Sequence, residues 1–129
     1  MDLLRNVRWI ELPSNADDRG VLTSIESGID MPFTINRIFY MHHIVSNRGG
    51  HAHRDTDQVV IAISGCFKME LFDGESKKTF VLDDPTRGIY IPRMVFINMH
   101  DFSTKNDIFS GNASRGANMQ KKKIKINGK

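Results

Sequence analysis

Asn47-Arg48-Gly49-Gly50-His51-Ala52-His53-Arg54, followed almost at once by Asp57-Gln58-Val59-Val60-Ile61-Ala62-Ile63, is the stretch around which the 129-residue chain is organised. Alternate residues of an extended strand point to one face, so His51 and His53 hold their imidazoles side by side with Ala52 turned away. Gly49 and Gly50 let the backbone pass close to a neighbour, and the β-branched run that follows reads as a second strand. Histidine ordinarily titrates near neutrality, which suits it to moving protons or, when neutral, to holding a metal. On these residues alone both roles are open. An isolated His-x-His pair is often only structural; the two glycines and the adjoining strand make this one a candidate site.

Working outward, short extended segments recur on both sides. Val7 to Leu12 and Gly20 to Glu26 read as strands separated by Pro13, Ser14, Asn15 and an Asp17-Asp18-Arg19-Gly20 turn. Ile35 to Val45 is a longer strand. Strict alternation there puts Arg37, Phe39 and Met41 on one face and Ile38, Tyr40 and His42 on the other, so Arg37 and Tyr40 share a face only across a bulge. In the strand after the histidines, Gln58, Val60, Ala62 and Ser64 form a small, partly polar face suited to a ligand cavity. Cys66 to Phe72 and Lys77 to Leu82 flank Asp73-Gly74, a strong hairpin signal. Gly88 to Ile91 and Met94 to His100 complete the series. Many short strands and no amphipathic helix predict an all-β jelly roll or small barrel.

Composition narrows the class further. The length suits one domain, with 40% hydrophobic residues to build a core. Apolar runs are far too short to cross a bilayer as a helix, and Met1-Asp2-Leu3-Leu4-Arg5 lacks the pattern of a secretion signal, so a cytoplasmic setting is expected. The lone Cys66 reads as a small buried residue rather than a nucleophile. Basicity is confined to one end: residues 1–103 carry 11 Lys and Arg against 14 Asp and Glu, and residues 104–129 carry 7 against 1. Such a tail without a recognition motif does not point to nucleic acid. With no apolar pattern after Thr104, the expected organisation is a domain over 1–103 and a polar basic tail over 104–129.

From about Val7 to Ser103 the chain resembles the cupins, and within them the sugar 3,4-ketoisomerases acting on dTDP-4-keto-6-deoxyglucose. The resemblance rests on Arg19-Gly20, Asn36-Arg37-Ile38-Phe39-Tyr40, Arg48-Gly49-Gly50-His51-Ala52-His53-Arg54, Gln58, Gly65, Phe72-Asp73-Gly74, Gly88-Ile89-Tyr90-Ile91-Pro92 and Met99-His100-Asp101-Phe102-Ser103. It implies a cupin-type jelly roll, usually a homodimer, that moves a sugar carbonyl from C4 to C3 without a cofactor or metal, on the way to amino-deoxy sugars of surface glycans. A metal-binding cupin would add a Glu and a third His to His-x-His. Here those positions hold Gln58 and Ile97, a poor ligand and none, so no metal is expected.

The chemistry asks for a base at C3 and an acid at C4, each within hydrogen-bond reach of its carbon. His51 and His53 supply that pair, and repulsion between two imidazolium forms favours one neutral and one charged ring. By family position, Tyr40 is a further catalytic candidate, and Arg37, Gln58 and Tyr90 are candidates to bind the substrate and stabilise the enediolate oxygen. Arg48 and Arg54 are placed to fork onto the diphosphate of the nucleotide. A second reading, from a different class, is a catalytically idle cupin that binds a nucleotide sugar or another carbohydrate.

Overall fold

A computed structural model describes residues 2–114. Among them, a 3₁₀ turn at Leu3–Asn6 precedes eleven strands: β1 (Arg8–Glu11), β2 (Ser14–Asp17), β3 (Gly20–Thr23), β4 (Arg37–His42), β5 (Arg48–Ala52), β6 (Thr56–Ser64), β7 (Phe67–Phe72), β8 (Lys77–Leu82), β9 (Arg87–Ile91), β10 (Phe96–His100) and β11 (Asp107–Ser114). One sheet has the order β1-β9-β6-β11-β4, a second has β5-β10-β7-β8, and β2 and β3 form a separate hairpin. All the pairings are antiparallel. This is the expected all-β, cupin-type jelly roll.

Period-two patterning explains why the sheets stack. In β7, Phe67, Met69 and Leu71 are buried while Lys68 and Phe72 between and beyond them are exposed. These three meet Val60 and Ala62 of β6, Ile108 of β11, and Ile97 and Met99 of β10 in one apolar cluster between the sheets. β6 is buried on both faces. Its other side, Val59 and Ile61, packs beneath Leu12 and Met31, joined by Ile25, Phe33, Ile35, Tyr90 and Phe109. The segment between β3 and β4 therefore covers the outer face of the larger sheet. At the β7–β8 turn, Asp73 accepts hydrogen bonds from the N–H groups of Glu75 and Ser76 at 2.9 and 2.8 Å, as an Asp-Gly hairpin turn permits.

Three sequence expectations are corrected. The domain does not end at Ser103: β11 inserts between β6 and β4, matching β6 from Asp107↔Ser64 to Ser114↔Thr56 and β4 from Asp107↔His42 to Asn112↔Arg37. The closing strand is present, and β4 reaches the sheet only through it. Its apolar signal is short because a doubly paired strand is held by its ladders, and its inner positions Ser110 and Asn112 are buried polar groups. Residues 115–129 of the proposed tail lie outside the described residues. Second, Ser14 and Asn15 belong to β2 rather than to a turn. Third, Cys66 is exposed, at the β6–β7 turn, where its N–H donates to Ser103 Oγ at 2.9 Å.

Candidate active site

The histidine pair is delivered by a bulge. Along the β5–β10 ladder, Ile97 faces His51 and Asn98 faces Gly49, so Gly50 is the extra residue. Gly49 and Gly50 have φ of +106° and +76°, and a Cβ on Gly49 would stand 2.5 Å from the Ile97 carbonyl oxygen. Only glycine lets the two backbones approach this closely. Just beyond the strand, the N–H of Met94 donates to the His53 carbonyl at 2.6 Å and fixes its end. The rings of His51 and His53 lie 4.9 Å apart between centroids, at 85° to each other.

Both rings line a cavity of about 440 Å³ between the sheets. Its apolar wall is Phe39, Met41, Val60, Met69, Ile97 and Met99; its polar groups are Arg37, Arg48, His51, His53, Gln58 and Ser110. Gln58 is 5% exposed, and its Oε1 accepts a hydrogen bond from Ser110 Oγ at 3.3 Å. Among the described residues, no three His, Cys, Asp or Glu side chains are grouped so as to hold a metal ion. Ile97, paired with His51 across the ladder, presents an apolar side chain to the same cavity.

The structure brings together His51, His53, Arg37, Arg48 and Gln58. It does not bring Tyr90 or Arg54 to the cavity, and Tyr40 borders it from the other face of β4. The β4–β11 ladder runs without a bulge, so Arg37 and Tyr40 stay on opposite faces. Tyr40 borders the cavity, yet it is 73% exposed and its ring stacks on His42, 6.0 Å away, on the outer face of β4. Tyr90 pairs with Val59, not with the cavity side of β6; its ring meets Phe33 at 6.1 Å and the Arg8 guanidinium at 5.1 Å. Arg54 is exposed and outside the cavity wall. Sequence reasoning missed Ser110, which is fully buried, and its neighbour Asn112. Their spacing two apart is the only local trace of them in the sequence; that they face the Gln58 strand comes from the β6–β11 pairing.

Comparison with known proteins agrees with this geometry. Residues 5–114 match the family described as FdtA: WxcM-like, C-terminal. The TDP-4-oxo-6-deoxy-alpha-D-glucose-3,4-oxoisomerase of Aneurinibacillus thermoaerophilus is 37% identical over 90 residues, which is 68% of this chain and 65%, just under two thirds, of the relative's length. Among solved structures, a His-to-Asn variant of the 3,4-ketoisomerase QdtA from Thermoanaerobacterium thermosaccharolyticum, in complex with TDP-4-keto-6-deoxyglucose, superimposes with a TM-score of 0.83 at 32% identity, covering 88% of this chain and 84% of that one. The WlaRB TDP-quinovose 3,4-ketoisomerase of Campylobacter jejuni gives a TM-score of 0.81 at 29% identity, covering 88% of each chain. With a jelly roll, a histidine pair in its cavity and a match spanning nearly every described residue, the chain belongs to the FdtA, WxcM-like C-terminal family.

Proposed function

We propose that this chain is a sugar-nucleotide 3,4-ketoisomerase, moving the carbonyl of a TDP-linked 4-keto-6-deoxyhexose from C4 to C3. The observation that carries this is the pair of imidazoles 4.9 Å apart in a cavity that also presents a buried glutamine amide. The 4-keto group acidifies the proton on C3. One histidine removes it, and the electron pair forms the C3–C4 double bond of an enediolate. The acid partner then delivers a proton to C4, while the proton of the C3 hydroxyl passes to the C4 oxygen, leaving the ketone at C3. The two carbons are adjacent, so two rings at this spacing reach both. Gln58 donates to the enediolate oxygen, where charge builds up in the transition state. Arg37 and Arg48 line the same cavity, and Arg48 forks onto the diphosphate. These side chains carry the reaction without a metal or a cofactor.

We place the enzyme in the cytoplasm as a homodimer. No helix among the described residues is long and apolar enough to cross a membrane. Ile38 and Tyr40 on the outer face of edge strand β4, and Val21 and Leu22 on the β2–β3 hairpin, are large apolar groups more than half exposed, the kind of surface a second copy covers.

The test is turnover of TDP-4-keto-6-deoxyglucose in D₂O followed by NMR, with binding followed by calorimetry. Deuterium should enter C4 of the 3-keto product. His51→Asn and His53→Asn should each bind substrate yet turn over ~10²–10⁴-fold more slowly, the range typical of lost acid–base catalysis. Parent protein that binds without turnover establishes the idle binder instead. If both variants match an active parent, the histidine mechanism is wrong.

A further inference from the structure

We infer that Ser110 of β11 is a positioning residue for the isomerisation, orienting Gln58 so that its N–H₂ end faces the reacting sugar; this rests on the ketoisomerase reading. In the β6–β11 ladder Asn112 stands opposite Gln58 and Ser110 opposite Val60, which puts Gln58, Ser110 and Asn112 on one inner face. All three are nearly solvent-free, at 5%, 0% and 2% exposure. Gln58 and Ser110 both line the cavity.

A glutamine amide has two ends of almost equal shape and opposite polarity, so its hydrogen-bond partners decide which end points where. Here the chain of partners is anchored at the far side. Asn112 Nδ2 donates to the Ser110 carbonyl at 3.2 Å and to the Arg37 carbonyl at 3.5 Å, which turns Asn112 Oδ1 toward Ser110 Oγ, 3.2 Å away. Ser110 Oγ thus stands between two acceptor oxygens, Asn112 Oδ1 and Gln58 Oε1, the latter 3.3 Å away. Its single proton serves one acceptor at a time. Donation to Gln58 fixes Oε1 on the protein side and leaves Nε2 with no hydrogen-bond partner among the described residues. A buried amide donor left unpaired is costly, and a substrate oxygen in the cavity removes that cost. As negative charge grows on the oxygen, the amide polarises and draws the Ser110 proton toward Oε1, strengthening both bonds together.

Steady-state kinetics with double variants test the idea. Ser110→Ala should lower kcat by ~10–10²-fold, the scale of a modest misplacement of a catalytic group, with KM little changed. Ser110→Thr, which restores the hydroxyl, should recover most of the loss. In a Gln58→Met background, Ser110→Ala should have no further effect, because its action runs through the amide. Equal losses in both backgrounds overturn the proposal. Should Ser110→Ala not fold, Ser110→Cys, near in size and a poor donor, carries the same expectations. Side-chain ¹⁵N–¹H₂ signals of Gln58 give a readout independent of turnover: a dispersed, ordered pair in the parent and averaged signals in Ser110→Ala. An inactive parent would refute the ketoisomerase reading, whereas unchanged Gln58 signals would refute the role of Ser110.

Discussion

Replacing Gly49 and Gly50 one at a time by alanine separates two effects that the β5 bulge combines. Both residues have positive φ, which an alanine adopts at a cost of about 1–2 kcal/mol. At Gly50 nothing lies within 4 Å of the new Cβ, so that strain is the whole penalty. At Gly49 the Cβ would stand 2.5 Å from the Ile97 carbonyl oxygen and 3.1 Å from Asn98 Cα, both backbone atoms that cannot rotate away. Relieving the contact even to 3.0 Å requires β5 and β10 to part by about half an ångström, an overpacking cost of about 1–3 kcal/mol beyond the strain. Gly49→Ala should therefore lose roughly 2–5 kcal/mol and Gly50→Ala roughly 1–2. At roughly 4–8 °C per kcal/mol for a domain near this size, their melting temperatures should differ by several degrees. Function should divide the same way. His51 is paired directly with Ile97, so the displacement reaches its ring. A shift approaching 1 Å costs as much as ~10²-fold, so roughly tenfold lower kcat is expected for Gly49→Ala alone. Thermal melts and NMR turnover assays read both. If the two variants melt and turn over alike, the close approach to the Ile97 carbonyl is not what positions the histidine pair.

Ending the chain at Asn106 should abolish the folded state, because β11 joins β4 to the sheet; a dispersed amide NMR spectrum from that truncation would contradict the assignment. Within the strand, Ile108→Ala at a fully buried position should cost about 2–5 kcal/mol by urea denaturation. Asn106, 5% exposed, accepts from the Ile44 N–H at 2.9 Å and donates to the carbonyls of Ile44 and Ser103 at 3.1 and 2.9 Å. Asn106→Ala should cost roughly 1–3 kcal/mol and selectively speed hydrogen exchange at Ile44. Finally, four carboxyls are held below the usual aspartate value of 3.8: Asp17 by the Arg19 side chain and N–H, Asp73 by the N–H groups of Ser76 and then Glu75, Asp84 by the Thr86 hydroxyl and N–H, and Asp101 by Lys68 and then His100. Since their folded values lie below the unfolded one, their stabilisation is complete above pH 3.8 and is lost as pH falls through the folded values. The urea midpoint should drop in that acid window, and Asp84→Asn should flatten part of the drop.

The fold class and the side-by-side placement of His51 and His53 were legible in the residues alone. Period-two patterning in β6 and β7, Asp-Gly at one hairpin and two glycines before His-x-His are local signals that depend on no distant partner. Side-chain alternation made His51 and His53 neighbours before any packing was known, and it also separated Arg37 from Tyr40, as the unbroken β4 ladder does. Tertiary structure alone decided the rest. β11 was illegible because a strand paired on both sides satisfies its backbone through its neighbours and can carry Ser110, Gly111 and Asn112 in place of an apolar run. That Tyr90 lies away from the cavity was illegible for a related reason. β6 is buried on both faces, so position in a motif could not say whether a residue beside it meets the cavity or the opposite cluster beneath Leu12 and Met31. The partners of Gln58 lie about fifty residues away in sequence, and no local pattern fixes a contact that only the sheet order β6-β11-β4 creates.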